Sequence, residues 1–148
     1  MCHKTLIHRE SGFSLAEVLL AIAISGILLA ALISGFVNSS IRAEWSGYNL
    51  AAQNLAMQGV EQARAAKWDP NAYPAVDLLT NFSPTIAILD IPVSGTNIAY
   101  ATNFFTINVI SANPPVKSIQ VDTVWQFRRY KGFALYTNTL MTLRAPDQ

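Results

Sequence analysis

The chain has 148 residues, of which 51% are hydrophobic, and a formal net charge of +1. This length supplies one small domain with one core, and the near-neutral charge gives no reason to expect a nucleic-acid partner. The only cysteine, Cys2, and both histidines, His3 and His8, lie near the amino terminus. From Arg9 onward the sequence excludes a histidine-based triad, a thiol nucleophile and a zinc site of Cys/His type. We therefore expect no enzymatic activity, no cofactor and no metal.

The first long element is an apolar helix that follows Glu17. Residues 18–37 carry no charge, and as a helix they span roughly 30 Å, the thickness of the hydrocarbon core of a bilayer. The residues before them are mostly polar and include Lys4 and Arg9, which favours a cytoplasmic amino terminus. We expect a single membrane span. Because Glu17 places a carboxylate one turn inside that span, it needs a partner, and a positive charge is the obvious one.

The position of the small residue Gly12 distinguishes this segment from an ordinary secretory signal. In such a signal the small-residue cleavage site follows the apolar stretch, so that the stretch is discarded. Here Gly12 precedes it. Cleavage after Gly12 would leave the apolar helix on the mature protein and create a new α-amino group on Phe13.

The run Gly12-Phe13-Ser14-Leu15-Ala16-Glu17, followed by a long apolar stretch, resembles the class III leader of type IV prepilins and of the pseudopilins of type II secretion. The resemblance implies that a membrane prepilin peptidase cuts after Gly12 and methylates the new amino terminus of Phe13. It also implies that Glu17 meets the terminal amine of a neighbouring subunit. Opposite charges attract more strongly where water is excluded, so this pairing would set the axial stagger between packed helices.

The same resemblance implies partners and a location. The partners are the prepilin peptidase and methylase, other pilin or pseudopilin subunits, the inner-membrane assembly platform and the membrane itself. The protein would cross a bacterial inner membrane once, with a cytoplasmic amino terminus and a periplasmic head, before incorporation into a pilus or pseudopilus. The alternative is a plain single-span anchor in which Glu17 extends to the lipid headgroups.

A second helical segment follows the apolar one. We expect it to continue to about Trp68-Asp69-Pro70, because proline disfavours a helical conformation in the residue before it. Steps of three and four residues give it one apolar stripe that would lie against a sheet, formed by Ile41, Trp45, Tyr48, Ala52, Leu55 and Gly59. The predicted division is a leader at 1–12, a membrane and assembly helix at 13–37, a helical spine at 38–69, and a loop with a β-sheet head at 70–148.

The remainder of the chain predicts a loop and then a sheet. Residues 71–84 form a connecting loop with a short helical turn at 76–79. Four segments rich in β-branched and aromatic residues follow, at 86–93, 98–110, 118–127 and 133–143. Pro92 favours an edge position for the first of them. Short links between the segments predict an antiparallel meander packed on the helix. The predicted fold class is α+β, type IV pilin-like, with a long amino-terminal helix on a four-stranded antiparallel sheet.

Alternation assigns the faces of the third strand. One face carries Ile119, Val121, Thr123, Trp125 and Phe127. We interpret Trp125 as a core or sheet-face aromatic, with a binding platform as the alternative. A Trp-containing strand, a turn at Gly132 and a last strand ending near Arg144 resemble minor pilins of the modification type and the I-type minor pseudopilins.

Two groups outside the helix are candidate contacts. Arg128, Arg129 and Lys131 form a basic hairpin tip that would touch phosphate or an anionic surface, or simply be solvated. The carboxylates beyond the helix are scattered singly, and we expect solvated or capping roles for them, with a single calcium ion as the remaining option; they are Asp69, Asp77, Asp90, Asp122 and Asp147.

Three functions from different classes follow from these features. The first is a structural assembly subunit, a minor pilin or minor pseudopilin that joins a filament through its amino-terminal helix. The second is an interaction module at a pilus tip whose head binds a surface, DNA or secreted cargo through the basic hairpin. The third, a membrane-tethered enzyme, is disfavoured by the missing histidines and cysteines. Residues 11–37 favour assembly.

Overall fold

The computed structural model describes residues 14–89, 98–129 and 132–147. Its longest element is helix α1, Leu15–Ala65, of 51 residues. The helix ends at Ala65, earlier than the predicted boundary at Asp69, because Trp68 and Asp69 pair in a short strand instead. A strand of two residues is too short to show a periodic pattern in the sequence. The predicted end of the helix therefore depended on Pro70 alone.

The chain divides into two compact units, Met1–Arg42 and Ala43–Gln148. In the first unit the described residues form the amino-terminal part of α1, and their side chains are exposed. By length and composition, α1 is able to cross a membrane. The second unit contains the rest of α1 and all of the strands that the structure describes.

In the second unit two sheets follow the helix. Strands β1 (Trp68–Asp69) and β2 (Val76–Asp77) form a two-stranded antiparallel sheet, and a 3-10 helix spans Leu78–Asn81. The large sheet is an antiparallel meander in the order β3-β4-β5-β6. Its strands are β3 (Thr85–Ile88), β4 (Tyr100–Ala112), β5 (Pro115–Arg129) and β6 (Gly132–Arg144). The predicted fold class, a long helix on a four-stranded antiparallel sheet, is confirmed.

The core lies between the helix and one face of the large sheet. It has two apolar clusters. One contains Ala51, Ala52, Leu89, Ala101, Trp125 and Phe127. The other contains Val60, Ala63, Trp68, Leu79, Ile119 and Val121. The predicted inner face of the third strand is confirmed, because its five alternating residues are all buried. In the helical stripe, Ala52 and Gly59 are buried as predicted, whereas Ile41 and Trp45 are exposed.

A buried polar contact fixes the depth at which the helix sits on the sheet. Asn103 Nδ2 donates to the Leu55 carbonyl over 3.1 Å, and Thr123 Oγ1 donates to Asn103 Oδ1 over 2.5 Å. The helix approaches closely here because Gly59 has no side chain. A Cβ at Gly59 would lie 3.0 Å from both Asn103 Nδ2 and Val121 Cγ1.

The boundaries of the predicted elements differ from the structure in several places. The short helical turn expected at 76–79 is the 3-10 helix Leu78–Asn81, because Val76 and Asp77 pair with β1. The second strand begins and ends two residues later than predicted, at Tyr100–Ala112. The last two strands extend beyond both predicted ends, since each residue gains hydrogen bonds as far as its partner strand continues. The first strand is an edge strand, as predicted, but Pro92 lies outside the described residues.

The end of α1 is fastened to the end of the chain by Arg144. Its guanidinium donates to the Ala63 carbonyl over 2.9 Å and also to the Ala66 carbonyl, which satisfies orphan groups at the helix terminus. Arg144 Nη2 lies 2.8 Å from Asp147 Oδ1. Asp147 Oδ2 accepts from the Trp68 amide, and the Asp147 amide donates to the Trp68 carbonyl. We call these contacts the terminal clamp.

The terminal clamp should make folding sensitive to acid. The Trp68 amide, and then Arg144 and Lys67, lower the pKa of Asp147 below its usual range. A carboxyl with a lowered folded-state pKa stabilises the fold above its unfolded pKa of about 3.9 and loses that contribution as the pH falls through the folded-state value. We expect the urea midpoint of the wild type to exceed that of Asp147→Asn at neutral pH. The difference should shrink below about pH 4. A difference independent of pH would contradict this role.

Candidate functional site

The candidate site is the first turn of α1, where Ser14 and Glu17 form a reciprocal cap. Glu17 Oε2 accepts from the Ser14 amide at 2.9 Å and from Ser14 Oγ at 3.0 Å. In return, the Glu17 amide lies 3.3 Å from Ser14 Oγ and 3.0 Å from the Ser14 carbonyl. This is a capping box, in which a Ser at the N-cap and a Glu three residues later satisfy amide groups that the helix leaves unpaired.

The capping box fixes where the negative charge lies. It folds the carboxylate back toward the amino end of the helix, where the helix dipole also favours negative charge. Both of its hydrogen bonds end on Oε2, and no described residue donates to Oε1. The Phe13 nitrogen lies one residue before Ser14 in the chain. The site therefore presents a carboxylate oxygen close in sequence to the amine that cleavage after Gly12 would create.

The sequence contained a signal for this arrangement that the motif-based interpretation missed. A Ser followed three residues later by Glu, just before an apolar run, is the pattern of a capping box. The prediction gave Glu17 only one kind of partner, a positive charge on another molecule. The structure shows that Glu17 also has an internal one, Ser14.

The surroundings of the site are apolar and unpartnered in the single chain. After Glu17 the next charged residue is Arg42. The large apolar side chains between them are exposed, including Leu19, Leu20, Ile27, Leu32 and Phe36. A soluble protein rarely exposes a continuous apolar surface of this size, so lipid or other helices are its expected environment. In that environment a carboxylate is poorly solvated, and a cation from another molecule would stabilise it.

A comparison with protein families found a match at the amino terminus. The model of the prokaryotic N-terminal methylation motif matches residues 7–33. The match covers 27 of the 148 residues, so it shows that the chain carries the amino-terminal motif of type IV pilins and pseudopilins, the class III prepilin leader. Proteins with this leader are processed by a prepilin peptidase. Neither a search of curated proteins nor a search of solved structures found a match.

Of the other predicted site residues, only Arg128 has a described side chain. Gly12, Phe13 and Lys131 are outside the described residues, as is the side chain of Arg129. Arg128 is exposed near the end of β5, directly opposite Phe133 of β6. Whether the three basic side chains converge therefore stays a prediction.

The carboxylates of the head have individual partners. Asp69 Oδ1 accepts from the Asn71 and Ala72 amides, which confirms a capping role. Asp122 accepts from Gln120 and Thr139 on the sheet. Asp77 pairs with Lys117, and Asp147 belongs to the terminal clamp, so these two are structural rather than solvated. Asp90 lies outside the described residues. Within 14–89, 98–129 and 132–147 no three His, Cys, Asp or Glu side chains group as metal ligands.

The aromatic residues of the head form part of its core. Trp125 is buried, stacks on Tyr136 at 4.9 Å between ring centroids and contacts Tyr48 at 6.0 Å. Its Nε1 donates to Asn138 Oδ1 over 2.7 Å, and Asn138 Nδ2 donates to Asn49 Oδ1 on the helix. Burial raises the pKa of Tyr48, with a smaller effect from Glu44. The interpretation of Trp125 as a core aromatic is confirmed, and the binding-platform alternative is wrong because its ring is covered.

Proposed function

We propose that the protein is a minor pilin or minor pseudopilin that assembles through its amino-terminal helix into a type IV pilus or a type II secretion filament. The observation that carries this proposal is the carboxylate of Glu17, held by the capping box at the start of a membrane-length apolar helix. In this proposal the leader 1–12 is removed after Gly12, and Phe13 becomes the methylated first residue.

Assembly would use two properties of this segment. The exposed apolar residues that follow Glu17 supply most of the packing between helices, because apolar contact is nondirectional and scales with area. The charge pair between Glu17 and the Phe13 amine of an adjacent subunit supplies the register. The free oxygen Oε1 is able to accept a hydrogen bond from that amine without breaking the capping box, since both internal bonds end on Oε2.

The proposed location follows from the same segment. Lys4 and Arg9 favour retention of the leader in the cytoplasm, where a prepilin peptidase of the bacterial inner membrane would cut and methylate. The head, residues 43–148, would then face the periplasm until the assembly platform adds the subunit to the filament. The partners are other pilin or pseudopilin subunits with the same helix.

Processing is the direct test of the proposal. Gly12→Arg should block cleavage, because a long charged side chain replaces the small residue at the cut. In cells with the peptidase, mass spectrometry should find wild-type protein beginning at a methylated Phe13 and the variant beginning at Met1. Gly26→Ala is a matched control on the same segment, because nothing lies within 4 Å of its added Cβ. Wild-type protein that keeps residues 1–12 would overturn the proposal.

A second candidate function is favoured by one surface of the head. An open cavity of about 890 Å³ is lined by Arg128 and Glu44 together with Tyr100, Phe133 and Leu135. The guanidinium of Arg128 beside exposed aromatic and apolar side chains is a suitable contact for an anionic group of a polymer or cargo, and Glu44 offsets part of that positive charge. This surface supports the alternative of an interaction module at the tip of a filament.

If the basic hairpin binds a partner, its loss should reduce binding without reducing the number of filaments. Replacing Arg128, Arg129 and Lys131 together with Ser should reduce adhesion or DNA uptake severalfold, because phosphate contacts depend on positive charge, while filament number stays unchanged. Binding is measured on cells with equal filament counts at two salt concentrations. Unchanged binding at both would leave the hairpin as a solvated tip.

A further inference from the structure

The strand β6 is an edge of the large sheet. It pairs with β5 over its whole length, from Gly132 to Arg144, and no other described strand pairs with it. Its outer-face side chains include exposed apolar ones, with Phe133 at 73% and Leu135 at 67% exposure. An edge strand presents amide and carbonyl groups along its outer side that are able to accept another strand.

Protection against such pairing is absent from β6 but present elsewhere. Natural sheets protect their edges with charges, prolines or bulges. Between Gly132 and Leu143 the sequence contains no charged residue and no proline, and its register with β5 is unbroken. The part of β4 that extends beyond β3, by contrast, has a register shift between Val109 and Ser111. The sheet is therefore open to addition at β6.

The direction of the strands limits which strand is able to add. Along α1, Asn49 contacts Asn138, and the Ala63 carbonyl contacts Arg144, so β6 runs in the same direction as the helix. Because the sheet is antiparallel throughout, β3 and β5 run in the opposite direction. Copies that join one filament share one polarity, so neighbouring heads point the same way along it. Antiparallel pairing of β6 with β6 would invert one head, and parallel pairing would place the two head helices on opposite faces of the joined sheet. The other edge, β3, arrives antiparallel to β6 with both helices on one face.

We propose that β6 of one subunit pairs antiparallel with β3, Thr85–Ile88, of a second copy of this chain that has the same orientation. This inference rests on the proposed function only for that shared orientation. The pairing would continue the sheet from one head into the next and place both inner faces on the same side. It joins two different edges, so it is a heterologous contact, the type that builds an open helical assembly.

The side chains favour one register. The exposed residues Ile86 and Ile88 lie on the outer face of β3, and Ala87 lies between them on the inner face. Pairing Ile86 with Leu135 and Ile88 with Phe133 joins apolar residues on the outer face. It also places Ala87 opposite Ala134, where both side chains are small.

This register predicts an axial offset between neighbouring heads. Within one head, Ala87, Ala101, Trp125 and Tyr136 lie level across the sheet. In the proposed contact Ala87 is level with Ala134 instead, so the second copy is displaced by two residues, or about 7 Å. A fixed displacement of this kind is suitable for subunits that follow a helical path.

Disulfide trapping tests the contact in full-length protein in membranes. In a Cys2→Ser background no other cysteine is present. We expect Ile86→Cys with Leu135→Cys to form linked dimers and longer multimers on oxidation. Within one chain these two positions are three strand spacings apart, or about 14 Å, which is too far for a disulfide. Both positions are exposed, so the substitutions leave the core intact.

Three kinds of matched variant control the experiment. Each single cysteine variant should remain monomeric. Ile86→Cys with Met141→Cys should not link, because Met141 is also exposed but lies six residues from Leu135, about 20 Å along the strand. Ile88→Cys with Phe133→Cys should link as the second pair of the same register. Dimers from Leu135→Cys alone would show that β6 meets its own copy, which would overturn the inference.

The outcome separates this inference from the proposed function. The amino terminus and the membrane fraction are measured on the same samples. Protein that is trimmed and membrane-inserted but unlinked would overturn the β6 contact and leave the assembly proposal standing. Linked protein that keeps its leader would support the contact and overturn the assembly proposal. A linked product that contains a different protein would overturn the choice of a second copy.

Discussion

Glu17→Gln is expected to yield a trimmed, membrane-inserted protein that no longer enters filaments. Glutamine keeps the capping box, because its side-chain oxygen accepts from the Ser14 amide as the carboxylate does. It removes the negative charge that the amine of the next subunit would meet. The amount of this protein in sheared filaments, relative to the membrane fraction, should fall to background. Normal incorporation would refute the charge-pairing account.

Ser14→Ala separates the charge from the cap. It removes the hydroxyl that contacts Glu17 Oε2 and the Glu17 amide, and it keeps the carboxylate and the Ser14 backbone position. Loss of an N-cap side chain typically costs about 1 kcal/mol of helix stability. Because the charge pair remains possible, we expect Ser14→Ala to assemble at a reduced level, well above Glu17→Gln. Loss of assembly in Ser14→Ala together with normal incorporation of Glu17→Gln would indicate that the cap, and not the charge, controls assembly.

Gly59→Val is expected to be the most destabilising single change in the head. The added Cβ would lie 3.0 Å from Val121 Cγ1 and from Asn103 Nδ2, and the two methyl groups need further room. Overpacking of this kind costs about 1–3 kcal/mol. Displacing Asn103 would also weaken its bonds to Leu55 and Thr123. We expect a total loss of about 3 kcal/mol of unfolding free energy, measured by urea denaturation of detergent-solubilised protein.

Gly47→Ala is the matched control for Gly59. Gly47 is also in α1, but nothing lies within 4 Å of an added Cβ. Alanine in an exposed helix interior is favoured over glycine by about 1 kcal/mol, so this variant should be more stable than the wild type. If Gly59→Val matched the wild type, the helix would not approach the sheet as closely as the structure shows.

The sequence specified the large elements of this fold because their periodicity is strong. The alternation from Ile119 to Phe127 predicted the buried face of β5, and every residue of that face is buried. A long uncharged run after Glu17 predicted the apolar helix, which the structure contains. Signals that repeat every two or three to four residues are reliable because each side chain adds evidence for the same face.

The contacts that fasten these elements could not be predicted in this way. The clamp between Arg144 and the Ala63 carbonyl joins residues far apart in the chain, and no local pattern indicates such a pair. The strand pairing of Trp68 with Asp77 is too short to leave a repeat. The capping box of Ser14 and Glu17 is different, because a Ser followed three residues later by Glu before an apolar run is a local pattern that the sequence contains.

The terminal clamp has a mechanical consequence for a filament under tension. Asp147 and Trp68 join the tail of the chain to the point where α1 ends, and Arg144 grips that helix end. A pulling force applied to the chain after Arg144 would act on all of these bonds at once. The force would pass directly into α1 and not through the segment between α1 and β3. Bonds loaded in parallel share the force, so the head would resist extension best along the line of its own helix.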